Sequence, residues 1–146
     1  MDIMAVVIKP AAMLFDLCRS EGVRLVVPTI DTELPALARL RGRFAAAGVT
    51  LLACDEGLIE IFGDKRLTAR FFLERGLETA ALYASDAIRY PVFVKPFDGS
   101  LSAGAMLVRS AADMTPAILE NPRNIFCEYI DHADDTEITC DLYYDR

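Results

Sequence analysis

The chain has 146 residues, 53% of them hydrophobic, and a formal charge of −7. That composition supplies a core and excludes a disordered tail. No apolar run reaches the roughly 20 residues of a membrane-spanning helix, and no Lys/Arg cluster offers the basic face that nucleic acid requires. Met1-Asp2-Ile3-Met4 lacks the basic segment that opens a signal peptide, so the expectation is a soluble, cytoplasmic protein.

In chain order, the first half alternates helix and strand. Pro10 can open a helix carrying Met13, Leu14, Leu17 and Cys18, with Gly22 placed to close it. Val23 to Val27 is a β-branched run ending at Pro28 and reads as a short buried strand. Asp31 or Thr32 can cap the next helix, which tolerates Pro35 in its first turn. Leu37, Leu40 and Phe44 give that helix one apolar stripe, and Gly48 ends it. Val49 to Ala53 is a second buried strand. Strands separated by amphipathic helices predict an α/β domain with a parallel, Rossmann-like sheet.

The second half has another texture. A helix from about Lys65 to Arg75 takes Asp64 as cap and Gly76 as its terminating residue. Pro91 introduces the strand Val92-Phe93-Val94-Lys95, and a polar, glycine-containing loop follows Pro96. A strand is expected around Met106 to Val108, then a helix from a capping box of Ser110 and Asp113 to about Glu120. Two strands complete the pattern, near Ile125 to Ile130 and near Glu137 to Tyr144. This order predicts an antiparallel α+β lobe. The last strand runs into Tyr144-Asp145-Arg146 with no turn, which suggests an incomplete lobe with an open edge.

Cys18, Cys54, Cys127 and Cys140 are scattered, form no C-x-x-C pair, and share the chain with one histidine, His132. A zinc site is not expected from that spacing; buried thiols in a cytoplasmic protein are.

Three segments could carry chemistry. Lys95 ends a strand and is followed by Gly99-Ser100-Leu101-Ser102-Ala103-Gly104, small residues whose N–H groups can approach an anion. A plain hairpin with a solvated lysine is the alternative. Lys65 sits in the first turn of a helix, where the macrodipole disfavours a cation unless an anion is nearby. Phe126-Cys127-Glu128-Tyr129-Ile130 ends a strand that can offer backbone groups to a purine edge, and Glu137 could accept bonds from ribose hydroxyls. Read alone, Glu137 is better taken as an ordinary outward strand residue.

Together, in this order, the three segments resemble the ATP-grasp superfamily, and within it the carbamoyl-phosphate-synthase-like (large-subunit-like) group. Val27 to Leu34 resembles a stretch of that group's pre-ATP-grasp domain, and Gly63-Asp64-Lys65 resembles the start of its ATP-grasp module. Tyr90-Pro91-Val92-Phe93-Val94-Lys95-Pro96 is similar to the strand bearing the second nucleotide lysine, and the 99–104 loop falls at the family's phosphate flap. Cys127 to Ile130 resembles the hinge whose backbone reads adenine, and Glu137 stands near the ribose-binding glutamate. The flap has fewer glycines than usual, and Cys127 replaces a common Glu or Gln.

The resemblance implies a Rossmann-like pre-ATP-grasp domain over 1–62 and an incomplete ATP-grasp lobe over 63–146. It implies ATP contacts from Lys65, Lys95, Gly99, Ser100, Ser102, Gly104, Glu128, Tyr129, Ile130 and Glu137, with no catalytic or metal residue in the chain. The parent would be an ATP-dependent ligase acting through an acylphosphate on a carboxylate or bicarbonate and an amine. Its magnesium ligands would lie on strands past Arg146, so this chain alone would be inactive. A non-catalytic nucleotide-binding or regulatory module is the alternative. Open strand edges also suggest a homo-oligomer.

Overall fold

Two helices end where the sequence places a glycine. α1 (Ala11–Ser20) is closed by Gly22 at φ +64°, with the Val23 N–H donating to the Cys18 carbonyl at 2.9 Å. Gly48, at φ +72°, ends a later helix in the same way, the Val49 N–H donating to the Phe44 carbonyl at 2.9 Å. Without a Cβ, both residues take the left-handed conformation that satisfies the last carbonyls.

The computed structural model describes residues 11–131, 138 and 140. The chain forms two compact units, Met1–Thr68 and Ala69–Arg146.

In the first unit, α1 leads to β1 (Leu25–Val26), then α2 (Leu34–Arg39), α3 (Arg41–Ala46), β2 (Thr50–Leu51) and α4 (Glu56–Gly63). β1 and β2 pair in parallel, Leu25 opposite Thr50 and Val26 opposite Leu51. Both strands are shorter than the sequence suggested, because regular pairing spans only two residues of each. The single predicted helix is two, divided at Leu40, whose ψ of 0° is not helical. Neither Asp31 nor Thr32 caps it: a 3-10 turn over Asp31–Glu33 comes first, and Glu33 precedes α2 without a side-chain cap bond. The apolar stripe does what was expected. Leu37 and Phe44 are buried with Phe15, Cys18, Val26, Val49 and Leu51, and Phe44 meets Phe15 edge-on at 5.2 Å.

α5 (Lys65–Leu73) runs across the boundary between the units. In the second unit, β3 (Leu82–Tyr83), β4 (Val92–Pro96), β5 (Met106–Val108) and β6 (Asn124–Glu128) form an antiparallel sheet in the order β3-β6-β4-β5. The period-2 alternation of β4 sends Val92 and Val94 into a core with Val108 and Phe126, covered by Met114 and Ile118.

The helix expected from Ser110 to Glu120 is broken. Ala111–Asp113 is a 3-10 turn, and only Pro116–Leu119 is α-helical (α6). Pro116 pushes Thr115 into extended backbone, ψ 156°, and the Thr115 hydroxyl then accepts the Ile118 N–H as the cap. Ser110 instead hydrogen-bonds the Asp113 carboxylate at 2.7 Å. Of the strand expected near Glu137 to Tyr144, the described residues include only Ile138 and Cys140, neither of them in a strand. Cys18 and Cys127 are buried, whereas Cys54 and Cys140 are exposed, which corrects the expectation that all four are interior. Burial pushes the Cys18 thiol above its usual range.

Candidate functional site

β4 alternates strictly, so Phe93 and Lys95 share the face opposite the Val92–Val94 core. Register places Cys127 opposite Phe93 and Ile125 opposite Lys95, with Leu107 flanking Phe93 on the other side. Lys95 is thus the one charged residue among these five. It is half-buried, and its ammonium lies 5.8 Å from the Phe93 ring centroid.

Past Pro96 the chain turns sharply. The Phe97 N–H donates to the Arg123 carbonyl at 2.8 Å, extending the ladder one step beyond the Pro96–Asn124 pair. The loop then folds against Pro96: a Cβ on Gly99 would stand 3.2 Å from the Pro96 Cβ, and one on Gly104 3.2 Å from its Cγ. Leu101 (φ 53°) and Ser102 (φ 56°) are both left-handed, an uncommon state for residues with a side chain. Leu101 is 99% exposed, so no burial of its side chain offsets that cost. Ala103 N–H donates to the Ser100 carbonyl and Ala105 N–H to that of Ser102, each at 3.1 Å. The N–H groups of Ser100, Leu101, Ser102 and Gly104 donate to nothing among the described residues. Four such donors in one short loop can turn toward an anion.

Gly104 is where this conformation is most easily broken. At φ +76° and against a rigid proline ring, Gly104→Ala should cost about 1–2 kcal/mol. Urea denaturation should show the lower midpoint; an unchanged midpoint would mean that the loop does not hold this shape.

The opposite end of β4 faces the end of β6. Glu128 pairs with Val92, so Tyr129 and Ile130 leave the sheet beside the start of β4. The Glu128 N–H donates to the Ala81 carbonyl at 2.8 Å, and its carboxylate accepts the Ala81 N–H at 3.1 Å. Its side chain therefore clamps β3 to β6. The backbone groups of Tyr129 and Ile130 make no hydrogen bond among the described residues. From the Val92–Glu128 pair to the Lys95–Ile125 pair is three residues, roughly 10 Å at the usual strand rise.

Lys65 lies in the first unit, as the first residue of α5. One anion, the Asp64 carboxylate, stands at that helix end. Asp64 accepts the Arg66 N–H at 2.8 Å and grips the Arg66 guanidinium through both carboxylate oxygens, so it caps α5 as expected. The Arg66 side chain, chiefly, holds the Asp64 carboxyl below the usual carboxylate range, with the helix-end N–H groups adding to it and burial opposing. A depressed folded-state pKa stabilises above the unfolded carboxylate range, and that stabilisation disappears as pH falls through the folded value. Asp64→Ala should cost about 1 kcal/mol at neutral pH and almost nothing in strong acid, measured by thermal melts across that range. Equal losses at both pH values would show that the charge of Asp64 adds nothing to the cap.

Of the sequence-derived candidates, Lys95, Gly99, Ser100, Ser102 and Gly104 fall on β4 and its loop, and Glu128, Tyr129 and Ile130 at the far end of the same sheet. Glu137 lies outside the described residues. Sequence reasoning missed Phe93, whose place beside Lys95 was readable from the alternation, and Leu101, whose amide joins the loop donors. No helix among the described residues is long and apolar enough to cross a membrane.

The N-terminal domain of PylC-like proteins matches residues 4–52 of this chain. No curated protein matches it. Among solved structures, it is similar to the biotin carboxylase domain of the Hydrogenobacter thermophilus 2-oxoglutarate carboxylase, with TM-score 0.66 at 18% identity over 84% of this chain. That dimer was solved with MgADP, ADP and bicarbonate. Rhizobium etli pyruvate carboxylase gives 0.62 at 14% identity over 83%, and the D-alanine–D-alanine ligase of Helicobacter pylori 0.57 at 17% over 75%. Over the part that it covers, the chain folds as those three enzymes do. It spans 32%, 12% and 39% of those three chains, so it corresponds to a minor part of each.

Proposed function

We propose that this chain is the ATP-binding portion of an ATP-dependent carboxylate–amine ligase of the carbamoyl-phosphate-synthase-like kind. The observation that carries the reading is the layout of β4: unbonded backbone groups at both of its ends, with the Phe93–Lys95 face between them. A nucleotide needs those features in that order. An N–H and C=O edge, from Tyr129 and Ile130, suits a purine, and the half-buried Phe93 and Leu107 suit its ring. A lysine followed by a cradle of N–H donors suits the phosphates. In this reading 1–62 is the Rossmann-like pre-ATP-grasp domain and 63–146 part of the ATP-grasp domain. Lys65 is assigned to the phosphates, and Glu137 to the ribose, by resemblance.

The reaction of the whole protein would run in two steps. A carboxylate or bicarbonate oxygen attacks the γ-phosphorus and ADP leaves; an amine then attacks the acyl carbon and phosphate leaves. Lysine and loop donors contribute by offsetting charge on the phosphates and by keeping them in line. Magnesium would share that charge in the complete protein. Among the described residues no three His, Cys, Asp or Glu side chains gather to hold a metal, so these residues do not fit its site.

Calorimetric titration of the chain with ATP, with and without magnesium, tests the reading. Saturable binding that does not need magnesium is expected. Absence of any binding would end the claim that this chain holds the nucleotide by itself.

A further inference from the structure

The phosphate loop has a root as well as a rim. Arg123 stands between α6 and β6, 25 residues from Asp98 in sequence. Its Nε and Nη2 both donate to Asp98 Oδ1, at 3.1 and 2.9 Å, while its own carbonyl accepts the Phe97 N–H at 2.8 Å. Its N–H donates in turn to the Asn121 side-chain carbonyl at 3.0 Å, and the neighbouring Asn124 side chain donates to the Ile118 carbonyl at 2.9 Å. One residue therefore holds the loop's entry by backbone and by side chain. It is itself tied to the α6–β6 turn.

We propose that Arg123 is a positioning residue for the 99–104 loop: with Asp98 it forms a latch that fixes where the loop begins, leaving Gly99 to Gly104 as the segment that adjusts to an anion. The pair is partly exposed, 59% for Arg123 and 41% for Asp98, so its strength is that of a surface ion pair. What makes it matter is its place. Asp98 stands three residues before the first of two left-handed residues, so where it is held bears on which way four unbonded N–H groups face. The consequence for phosphate binding rests on the nucleotide reading above; the latch does not.

Amide exchange in the full chain without nucleotide tests the latch. Arg123→Ala should speed exchange at Gly99, Ala103 and Ala105 by about two- to fivefold, the scale of one exposed ion pair. The β4–β5 ladder around Val92 and Val108 should be unaffected. Arg123→Lys, which keeps the charge without the fork, should restore part of the protection. The exchanged pair, Asp98→Arg with Arg123→Asp, should restore part of it too. Unchanged loop exchange in Arg123→Ala, or equal acceleration in the ladder, would overturn the latch. In a second arm, Arg123→Ala should weaken ATP binding by a similar factor, with recovery in Arg123→Lys. If the native chain binds no ATP, the nucleotide reading fails while the exchange result still decides the latch.

Discussion

Replacing Phe44 with alanine is expected to cost the first unit about 3–5 kcal/mol, enough to leave much of it unfolded. Phe44 is fully buried, stands edge-on to Phe15, and touches a core assembled from α1, α2, β1 and β2. The core is small, so the cavity has few neighbours able to collapse into it. Phe44 also precedes the turn at Gly48, and its carbonyl accepts both the Ala47 and the Val49 N–H. Truncating the side chain therefore loosens the packing that presents β2 to β1. Denaturant titration followed by circular dichroism would measure the loss. A change under 1 kcal/mol would show that this cluster is not the unit's core. Phe44→Leu, which restores most of the volume, should recover the larger part of the stability.

Lys95→Ala is the prediction with the largest functional effect. A charge-assisted hydrogen bond is worth about 1.5–3 kcal/mol, so ATP affinity should fall by about 10- to 100-fold. Lys95 is half-buried on a face otherwise built from Phe93, Leu107, Ile125 and Cys127, where water screens an ammonium–phosphate contact less than at an open surface. Stability should hardly change, since Lys95 points away from the Val92–Val94 core. Calorimetric titration of native and Lys95→Ala chains with ATP separates the two quantities. Equal affinity in both would remove the lysine from the site, and with it the main support for a phosphate role of the loop.

Much of the architecture was readable because local rules and tertiary packing agree. Gly22, Gly48 and Gly76 mark helix ends, and all three adopt positive φ. The alternation of Val92-Phe93-Val94-Lys95 announced a strand with one buried face. Where the sequence misled, a distant or opposing influence decided. β3 has only two residues, too few for a period, and it is held by a carboxylate 47 positions away. α4 was missed because a single residue, Asp64, separates it from α5, so its apolar pattern has no obvious stop. Pro116 overrode the helical reading of 110–120 through its effect on Thr115. The candidate site was legible as residue types at a spacing. The unbonded donors were not, because nothing in Leu101-Ser102 predicts two consecutive left-handed residues.

The antiparallel pairing of β4 with β6 makes strand length a measuring stick. One end of the stick is the Tyr129–Ile130 edge and the other is the 99–104 loop, so under the nucleotide proposal the number of residues in β4 would set the length of molecule that bridges them. Adding two residues to both strands would keep every side chain on its face yet move the ends apart by roughly 7 Å. Adding one would turn Lys95 into the core. Relatives of this chain that bind longer or shorter ligands on the same sheet would therefore differ in β4 by even numbers of residues.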